Sequence, residues 1–136
     1  MKIIKLILLS VLISIQVVNA QQISEFREAN RTGVSSETGL LKSWPAEGPK
    51  LLWTNLELPK GNSSVSFGNN VMYTTGKVGA DDVLFALDMN GKIQWQTVMG
   101  RAWTQSYPES RATPTVEGNK VYTTSGYGDI ACIDVY

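Results

Sequence analysis

The sequence predicts an all-β fold, and three observations lead to that prediction. After residue 50 the chain consists of short runs rich in Val, Ile, Tyr, Thr and Phe. Residues that favour tight turns separate these runs. Beyond one helical turn at Ile23 to Ala29, no segment after residue 20 has its apolar residues at helical spacing.

Turn signals mark where these strands begin and end. Hairpins are predicted at Gly68-Asn69-Asn70 and Gly118-Asn119-Lys120, because Gly and Asn accept the positive φ angles that two-residue turns require. Asn90-Gly91 is the strongest hairpin dipeptide in the chain. A longer polar turn is expected over Gly76 to Asp82, with a shorter counterpart at Gly126-Tyr127-Gly128-Asp129.

The strand-rich part of the chain repeats itself. The longest match aligns residues 63–75 with residues 112–124 at an offset of 49, without a gap. Two shorter matches have offsets of 46 and 42, and they align residues 84–88 with 130–134 and residues 50–53 with 92–95. Strands and hairpins that recur at this period are typical of β-propeller blades.

The chain is therefore predicted to be a partial β-propeller of four-stranded antiparallel blades. An outer strand is expected at residues 51–55, a full blade at 63–97 and an incomplete blade at 112–136. Residues 51–136 would then hold about one and three-quarter blades, fewer than a closed propeller needs. The sequence is interpreted as an N-terminal fragment of a longer ring.

The first twenty residues have the organisation of a secretory signal peptide, which is expected to be helical. Lys2 and Lys5 supply positive charge, and Leu6 to Val18 is almost wholly apolar. Small residues predict cleavage after Ala20, and no cysteine lies there for lipid attachment. The apolar run is too short to span a bilayer, so no membrane insertion is expected after cleavage. We expect a periplasmic or secreted protein in which residues 21–50 form an N-terminal extended segment.

Composition excludes several classes of site within this sequence. There is no histidine and only one cysteine, Cys132. Zinc sites of Cys and His, an intramolecular disulfide and His-dependent catalytic triads are therefore excluded. Without its first twenty residues the chain has ten basic and twelve acidic residues and no basic run, which argues against nucleic acid as a partner. Cys132 lies between Ala131 and Ile133, so it is expected to be a small buried residue.

Residues 86–95, Ala-Leu-Asp-Met-Asn-Gly-Lys-Ile-Gln-Trp, resemble the tryptophan-docking motif of quinoprotein (PQQ-like) β-propellers, Ala-x-Asp-x-x-Thr-Gly-x-x-x-Trp. This chain is one residue shorter and has Asn90 where the family has threonine. The N-terminal part is similar to the opening of secreted bacterial PQQ-like repeat proteins, although Glu28-Ala29 replaces the Gly-Pro that usually follows Arg27. The similar residues there are Phe26-Arg27, Asn30 to Gly33, Glu37 to Leu41, Trp44-Pro45 and Gly48 to Trp53.

The resemblance implies a ring of seven or eight blades and a structural role for several residues. Neighbouring blades share no backbone hydrogen bonds, so a buried tryptophan worth about 2–3 kcal/mol holds them together. The Asp88 carboxylate is expected to accept amide hydrogens of the following turn. The residues assigned to blade docking are Trp53, Asp88, Gly91, Trp95 and Asp134.

Ligand contacts are expected on the connection between the two blades. Arg101, Trp103, Tyr107 and Arg111 there could hold a flat or acidic ligand. Asn62 aligns with Arg111 in the preceding blade, so it is expected at the same rim. The alternative is that Trp103 and Tyr107 only fill the space between the blades.

Two other motifs are assigned no chemistry. Gly126 to Ala131 reads Gly-x-Gly-x-x-Ala, but a strand is expected after it, whereas a dinucleotide-binding motif needs a helix there. Asp81-Asp82 lacks the spacing of a calcium-binding loop, so the pair is expected to form a solvated turn and no metal site is predicted.

Three functions stay open. The favoured one is a non-catalytic binding or scaffold module of the cell envelope, which meets a protein partner or a small ligand at the propeller face. The second is a fragment of a PQQ-dependent alcohol dehydrogenase, whose cofactors, PQQ and calcium, follow only from the family resemblance. The third is carbohydrate binding through Trp103 and Tyr107.

Overall fold

A computed structural model describes residues 23–24 and 26–136. The predicted signal helix and the cleavage after Ala20 lie outside these residues. Within them the protein is built from β-strands, with one 3-10 turn at Ala29–Arg31 and no α-helix, so the all-β prediction is confirmed. No helix in the described part of the chain is long and apolar enough to cross a membrane.

The strands form two antiparallel sheets of four strands each. The first sheet has the order β2-β3-β4-β5 and the second has the order β1-β6-β7-β8. The strands of the first sheet are β2 (Ser66–Gly68), β3 (Val71–Val78), β4 (Asp81–Asp88) and β5 (Ile93–Arg101). Those of the second are β1 (Ile23–Ser24), β6 (Thr115–Glu117), β7 (Lys120–Thr124) and β8 (Ile130–Asp134).

The strand positions follow the matched sequence segments. β6 and β7 begin 49 residues after β2 and β3, respectively, and β8 ends 46 residues after β4. The predicted hairpins join these strands. Asn69 and Asn70 both have positive φ, 52° and 60°, whereas Gly118 has a φ of 57° at the start of the second turn.

The polar turn predicted over Gly76 to Asp82 is wrong. β3 continues to Val78 and β4 begins at Asp81, so only Gly79-Ala80 form the turn. Gly76 serves a different purpose, because a Cβ there would lie 2.7 Å from Cγ of Pro59. The glycine lets the segment before the first sheet approach β3 closely.

Residues 51–55, predicted as an outer strand, do not form a strand in this structure. This segment pairs with no strand in the described residues, and a β-strand needs a neighbouring backbone to satisfy its N–H and C=O groups. Leu51 and Leu52 are 75% and 80% exposed. Further along, Leu58 packs against the first sheet.

The central strands of the first sheet, β3 and β4, are buried on both faces. One face packs on the second sheet through a cluster in which Tyr73, Leu84 and Met99 meet Val116 and Val121. On the other face Met72, Val83, Phe85 and Leu87 pack with Leu58 and Ile93. β3 and β4 consequently carry nearly continuous buried runs, in contrast to the alternation of a sheet with one solvated face.

Cys132 is exposed, so the expectation that it is buried is wrong. The burial of β8 alternates, and Ala131 and Ile133 point toward the first sheet while Cys132 lies on the opposite face. The sequence Ala131-Cys132-Ile133 does not reveal whether Cys132 or its two neighbours face the core.

Burial raises the pKa of the Tyr73 hydroxyl above its ordinary value, and the nearby Tyr136 raises it further. A pKa raised in the folded state means that this contribution to stability is intact below about pH 10 and is lost as the pH rises further. Tyr73→Phe is expected to make the loss of stability above pH 10 less steep, as measured by urea unfolding between pH 7 and 11. Identical slopes in both proteins would contradict this.

Candidate functional site

An open cleft of about 540 Å³ lies where the connection from β5 to β6 meets the ends of β4 and β7. It combines aromatic, acidic, basic and hydroxyl side chains. The lining residues are Asp82, Trp103, Tyr107, Glu109, Arg111, Ala112, Thr124, Ser125 and Gly126. Both sheets and their connection therefore contribute to the same site.

Asp82 is the most unusual residue of the cleft. It is the second residue of β4, and only 2% of it is exposed, so the expectation of a solvated turn is wrong. Its Oδ2 accepts a hydrogen bond from the Gly126 N–H at 2.7 Å. Its buried Oδ1 has no hydrogen-bond partner among residues 23–24 and 26–136. A buried carboxylate oxygen of this kind is costly unless a bound group donates to it.

Trp103 both supports the connection and lines the cleft. Its indole N–H donates to Ser106 Oγ at 2.9 Å, and its ring centroid lies 5.4 Å from that of Tyr127. Its backbone packs so closely on Gly126 that a Cβ at Gly126 would overlap it. Filling the space between the sheets and contacting a ligand are therefore compatible roles for Trp103, because its packing holds it at the cleft wall.

Tyr107 and Arg111 form a second unit in the same connection. The Tyr107 side chain is 77% exposed, and its backbone has a φ of 44°, which is uncommon for a residue with a side chain. The Arg111 guanidinium lies 5.4 Å from the Tyr107 ring and donates a hydrogen bond to the Tyr107 carbonyl. Arg111 therefore supports the aromatic ring as well as bordering the cleft.

The other two predicted ligand residues do not line the cleft. Arg101 is the last residue of β5, and its guanidinium lies 5.2 Å from the Tyr127 ring. Asn62 donates its backbone N–H to the Ser110 carbonyl at 2.7 Å, next to a parallel bridge between Gly61 and Ser110. Both residues support the connection through strand or backbone contacts.

The floor of the cleft contains the short turn predicted at Gly126 to Asp129, which is closed by side-chain hydrogen bonds that sequence reasoning missed. Ser125 Oγ donates to Asp129 Oδ2 at 2.6 Å and accepts from the Asp129 N–H at 3.1 Å. β5 fits beside this turn because Gly100 has no Cβ, which would fall on the Asp129 carboxylate. A serine four residues before an aspartate in a short turn is the only local signal for this arrangement.

The predicted docking residues make two contacts at the end of the first sheet. The Trp53 ring lies over Gly91, and a Cβ at Gly91 would be 2.5 Å from ring carbons. Asp88 Oδ1 accepts the N–H groups of Asn90 and Lys92 at 2.9 and 3.0 Å, as expected of a residue that shapes this turn. The Asn55 side chain adds a hydrogen bond of 2.6 Å to the Gly91 carbonyl.

Trp95 lies on β5 of the first sheet and packs into the cluster between the two sheets, whereas Asp134 ends β8 of the second sheet. The Trp95 ring centroid is 6.0 Å from that of Tyr73. Trp95 also borders a groove of about 310 Å³ whose other side includes Ile133 and Tyr136. Asp134 Oδ1 accepts the Tyr136 N–H at 3.2 Å, which repeats one of the Asp88 contacts.

Calcium, which the family resemblance implies together with PQQ, does not fit the described residues. Calcium takes about six to eight oxygen ligands, several of them carboxylates. Nowhere in residues 23–24 and 26–136 do three or more His, Cys, Asp or Glu side chains come together as a metal site would require. No chemical step through a calcium-bound cofactor is derived from this cleft.

Asp82→Asn is expected to raise the free energy of unfolding by about 1 kcal/mol. The side-chain oxygen of asparagine can still accept a hydrogen bond from the Gly126 N–H. The substitution also removes the negative charge of a buried carboxylate whose Oδ1 has no partner among the described residues. Asp82→Ala should lower it by about 1–3 kcal/mol, because the Gly126 N–H loses its acceptor. Urea unfolding at neutral pH measures both. A lower stability for Asp82→Asn than for Asp82→Ala would show that Oδ1 has a favourable partner.

Gly91→Ala is expected to lower the free energy of unfolding by about 2 kcal/mol or more, because the Cβ would displace the Trp53 ring and the φ of 82° is strained for alanine. Gly79→Ala is the control, since Gly79 has a φ of 59° and open space around it. It should cost about 1 kcal/mol. In a Trp53→Ala background, Gly91→Ala and Gly79→Ala should lower the free energy of unfolding by the same amount. If the two substitutions lowered the free energy of unfolding equally in the protein that retains Trp53, the packing of Trp53 on Gly91 would be contradicted.

Comparison with known proteins returned no similar family, curated protein or solved structure. The function of the chain is therefore argued from its own geometry.

Proposed function

We propose that this chain is part of an exported β-propeller repeat protein of the PQQ-like type, and that it is a non-catalytic binding or scaffold module of the cell envelope. Its ligand or partner occupies the cleft between the two sheets. The observation that carries the proposal is the buried Asp82 Oδ1, which lies in the cleft with the aromatic residues Trp103 and Tyr107 and has no partner in the part of the chain that the structure describes.

The stacking of the two sheets supports the propeller part of the proposal. Each sheet has antiparallel strands, and the sheets pack face to face without a shared strand. The contact of Trp53 with Gly91 is the kind of aromatic contact that can hold adjacent blades together. In a propeller, the connection between two blades lies at one end of the stack, and ligands commonly meet such loops.

The hydrogen bonds of the cleft favour binding over catalysis. Ser125 is a cleft hydroxyl that is hydrogen-bonded to a carboxylate, but it donates to Asp129 within a turn. An activated nucleophile needs a general base positioned to take its proton, and the sequence contains no histidine for that purpose. Asp82 is engaged by Gly126 through one oxygen and offers the other to a donor.

Photo-crosslinking in the cell tests this proposal. A benzophenone amino acid placed at Tyr107 is expected to form a discrete adduct, and the same probe at Trp44, which is 68% exposed and outside the cleft, should not. Asp82→Asn should reduce the adduct at least fivefold without reducing the amount of folded protein. No adduct, or one insensitive to Asp82, would contradict the proposal. So would calorimetric binding of PQQ with CaCl₂ at about 10 μM, which would favour the dehydrogenase alternative.

Carbohydrate is a second candidate ligand, favoured by the 77% exposure of Tyr107, which lines the same cleft as Trp103. Aromatic faces with a few placed polar groups are typical of small-molecule sites. The double substitution Trp103→Ala and Tyr107→Ala is expected to abolish binding on a glycan array, whereas Trp44→Ala should leave it unchanged. Binding that survives the double substitution would mean that the two rings serve only packing.

A further inference from the structure

The lining of the cleft carries more negative than positive charge. Two carboxylates line it, those of Asp82 and Glu109, against the single guanidinium of Arg111. That guanidinium lies over the Tyr107 ring and donates a hydrogen bond to the Tyr107 carbonyl, so it is engaged within its own connection. The charges of the lining therefore favour a positively charged ligand over a neutral or acidic one.

Asp82 has no positively charged hydrogen-bond partner among the described residues. Its Oδ2 accepts the neutral N–H of Gly126, and its Oδ1 accepts no hydrogen bond there. Lys77 is paired with Asp82 across β3 and β4, which puts both on one face of the sheet, yet it does not donate to Oδ1. A neutral N–H at one oxygen leaves most of the charge uncompensated, and a buried carboxylate is best compensated by a cation.

The aromatic residues at this end of the stack are of the kind that attracts cations. Two guanidinium groups of the chain already lie over rings here, that of Arg111 at 5.4 Å from Tyr107 and that of Arg101 at 5.2 Å from Tyr127. Trp103 lines the cleft and is half-buried. Tryptophan provides the strongest attraction for a cation among the aromatic side chains.

We propose that the cleft binds a guanidinium group, which donates to Asp82 Oδ1 and lies against the Trp103 ring. This inference rests on the binding function proposed above and names the chemistry of its ligand. A guanidinium is favoured over an alkylammonium because it is planar, stacks on aromatic rings and is weakly hydrated. It also carries several N–H donors, so those that do not contact Asp82 would be available to the Glu109 carboxylate.

The size of the cleft suits an arginine side chain of a protein partner or a free guanidinium compound. Its volume of about 540 Å³ lies within the range of small-molecule sites. Asp82 Oδ1 is itself buried, so a ligand reaches it through a side-chain rotation at the cleft wall. Rotations of this kind commonly accompany binding.

Titration of the purified full chain with a charged ligand and its neutral counterpart tests the proposal. The two probes are N-acetyl-arginine amide and N-acetyl-citrulline amide, because citrulline keeps the shape and N–H donors of arginine without its charge. The arginine probe is expected to bind with a Kd on the order of 1 mM, about tenfold tighter than the citrulline probe. The readout is the shift of the Gly126 amide and Trp103 indole signals in nuclear magnetic resonance spectra. Equal binding of both probes, or no binding at about 10 mM, would overturn the proposal.

Two neighbouring aspartates provide a matched pair of variants. Asp82→Asn keeps an acceptor for the Gly126 N–H, so it is expected to fold and to lose the preference for arginine over citrulline. Asp81→Asn removes the same net charge from the adjacent residue, which does not line the cleft, and should keep that preference. An equal loss in both variants would show that only long-range attraction is involved, and it would overturn the proposal.

Two further probes distinguish the sources of the guanidinium. Tighter binding of the capped peptide Ala-Ala-Arg-Ala-Ala than of ethylguanidinium chloride would identify an arginine of a protein partner. Binding of ethylguanidinium at least as tight as that of the peptide would identify a free small molecule, and either result supports the guanidinium site.

The photo-crosslinking experiment separates this inference from the proposed function. An Asp82-dependent adduct at Tyr107 combined with equal binding of the arginine and citrulline probes would overturn the guanidinium site and leave the proposed function standing. Charge-selective binding of arginine without any adduct in the cell would support the guanidinium site and contradict the proposed function.

Discussion

The structure depends on covering both faces of its first sheet. β3 and β4 have buried runs at residues 72–76 and 82–87, which leave no solvated face on either strand. Such strands are stable only when something packs on each side. The second sheet covers one side through Val116 and Val121, and the segment that contains Leu58 covers part of the other.

The candidate site is a consequence of that stacking. The connection from β5 to β6 must pass over the end of the stack, and Trp103 holds it there by packing on Tyr127. Arg111 packs on Tyr107 within the connection itself. Asp82 lies at the same end, inside the buried run of β4. Its Oδ2 accepts a hydrogen bond from the Gly126 N–H, and its Oδ1 has no donor among the described residues. The fold thus creates a binding feature at the seam between its two sheets.

The sequence predicted the features that depend on local chemistry. The hairpin at Asn69-Asn70 and the Asp88 turn follow from backbone preferences that a few residues determine. Tertiary contacts decided the features that were predicted wrongly. Gly76 is required for the approach of Pro59, and no short sequence window shows that contact. The burial of Asp82 was missed for the same reason, because its hydrogen-bond partner, Gly126, is 44 residues away in the chain.

Amide hydrogen exchange tests the requirement for cover on both faces most directly. The account predicts that the amides of β3 and β4 exchange most slowly in the protein. It also predicts that Leu58→Ala accelerates their exchange more than that of β7 and β8, because Leu58 packs on the outer face of the first sheet. Unchanged exchange in β3 and β4, or equal acceleration in both sheets, would contradict the account.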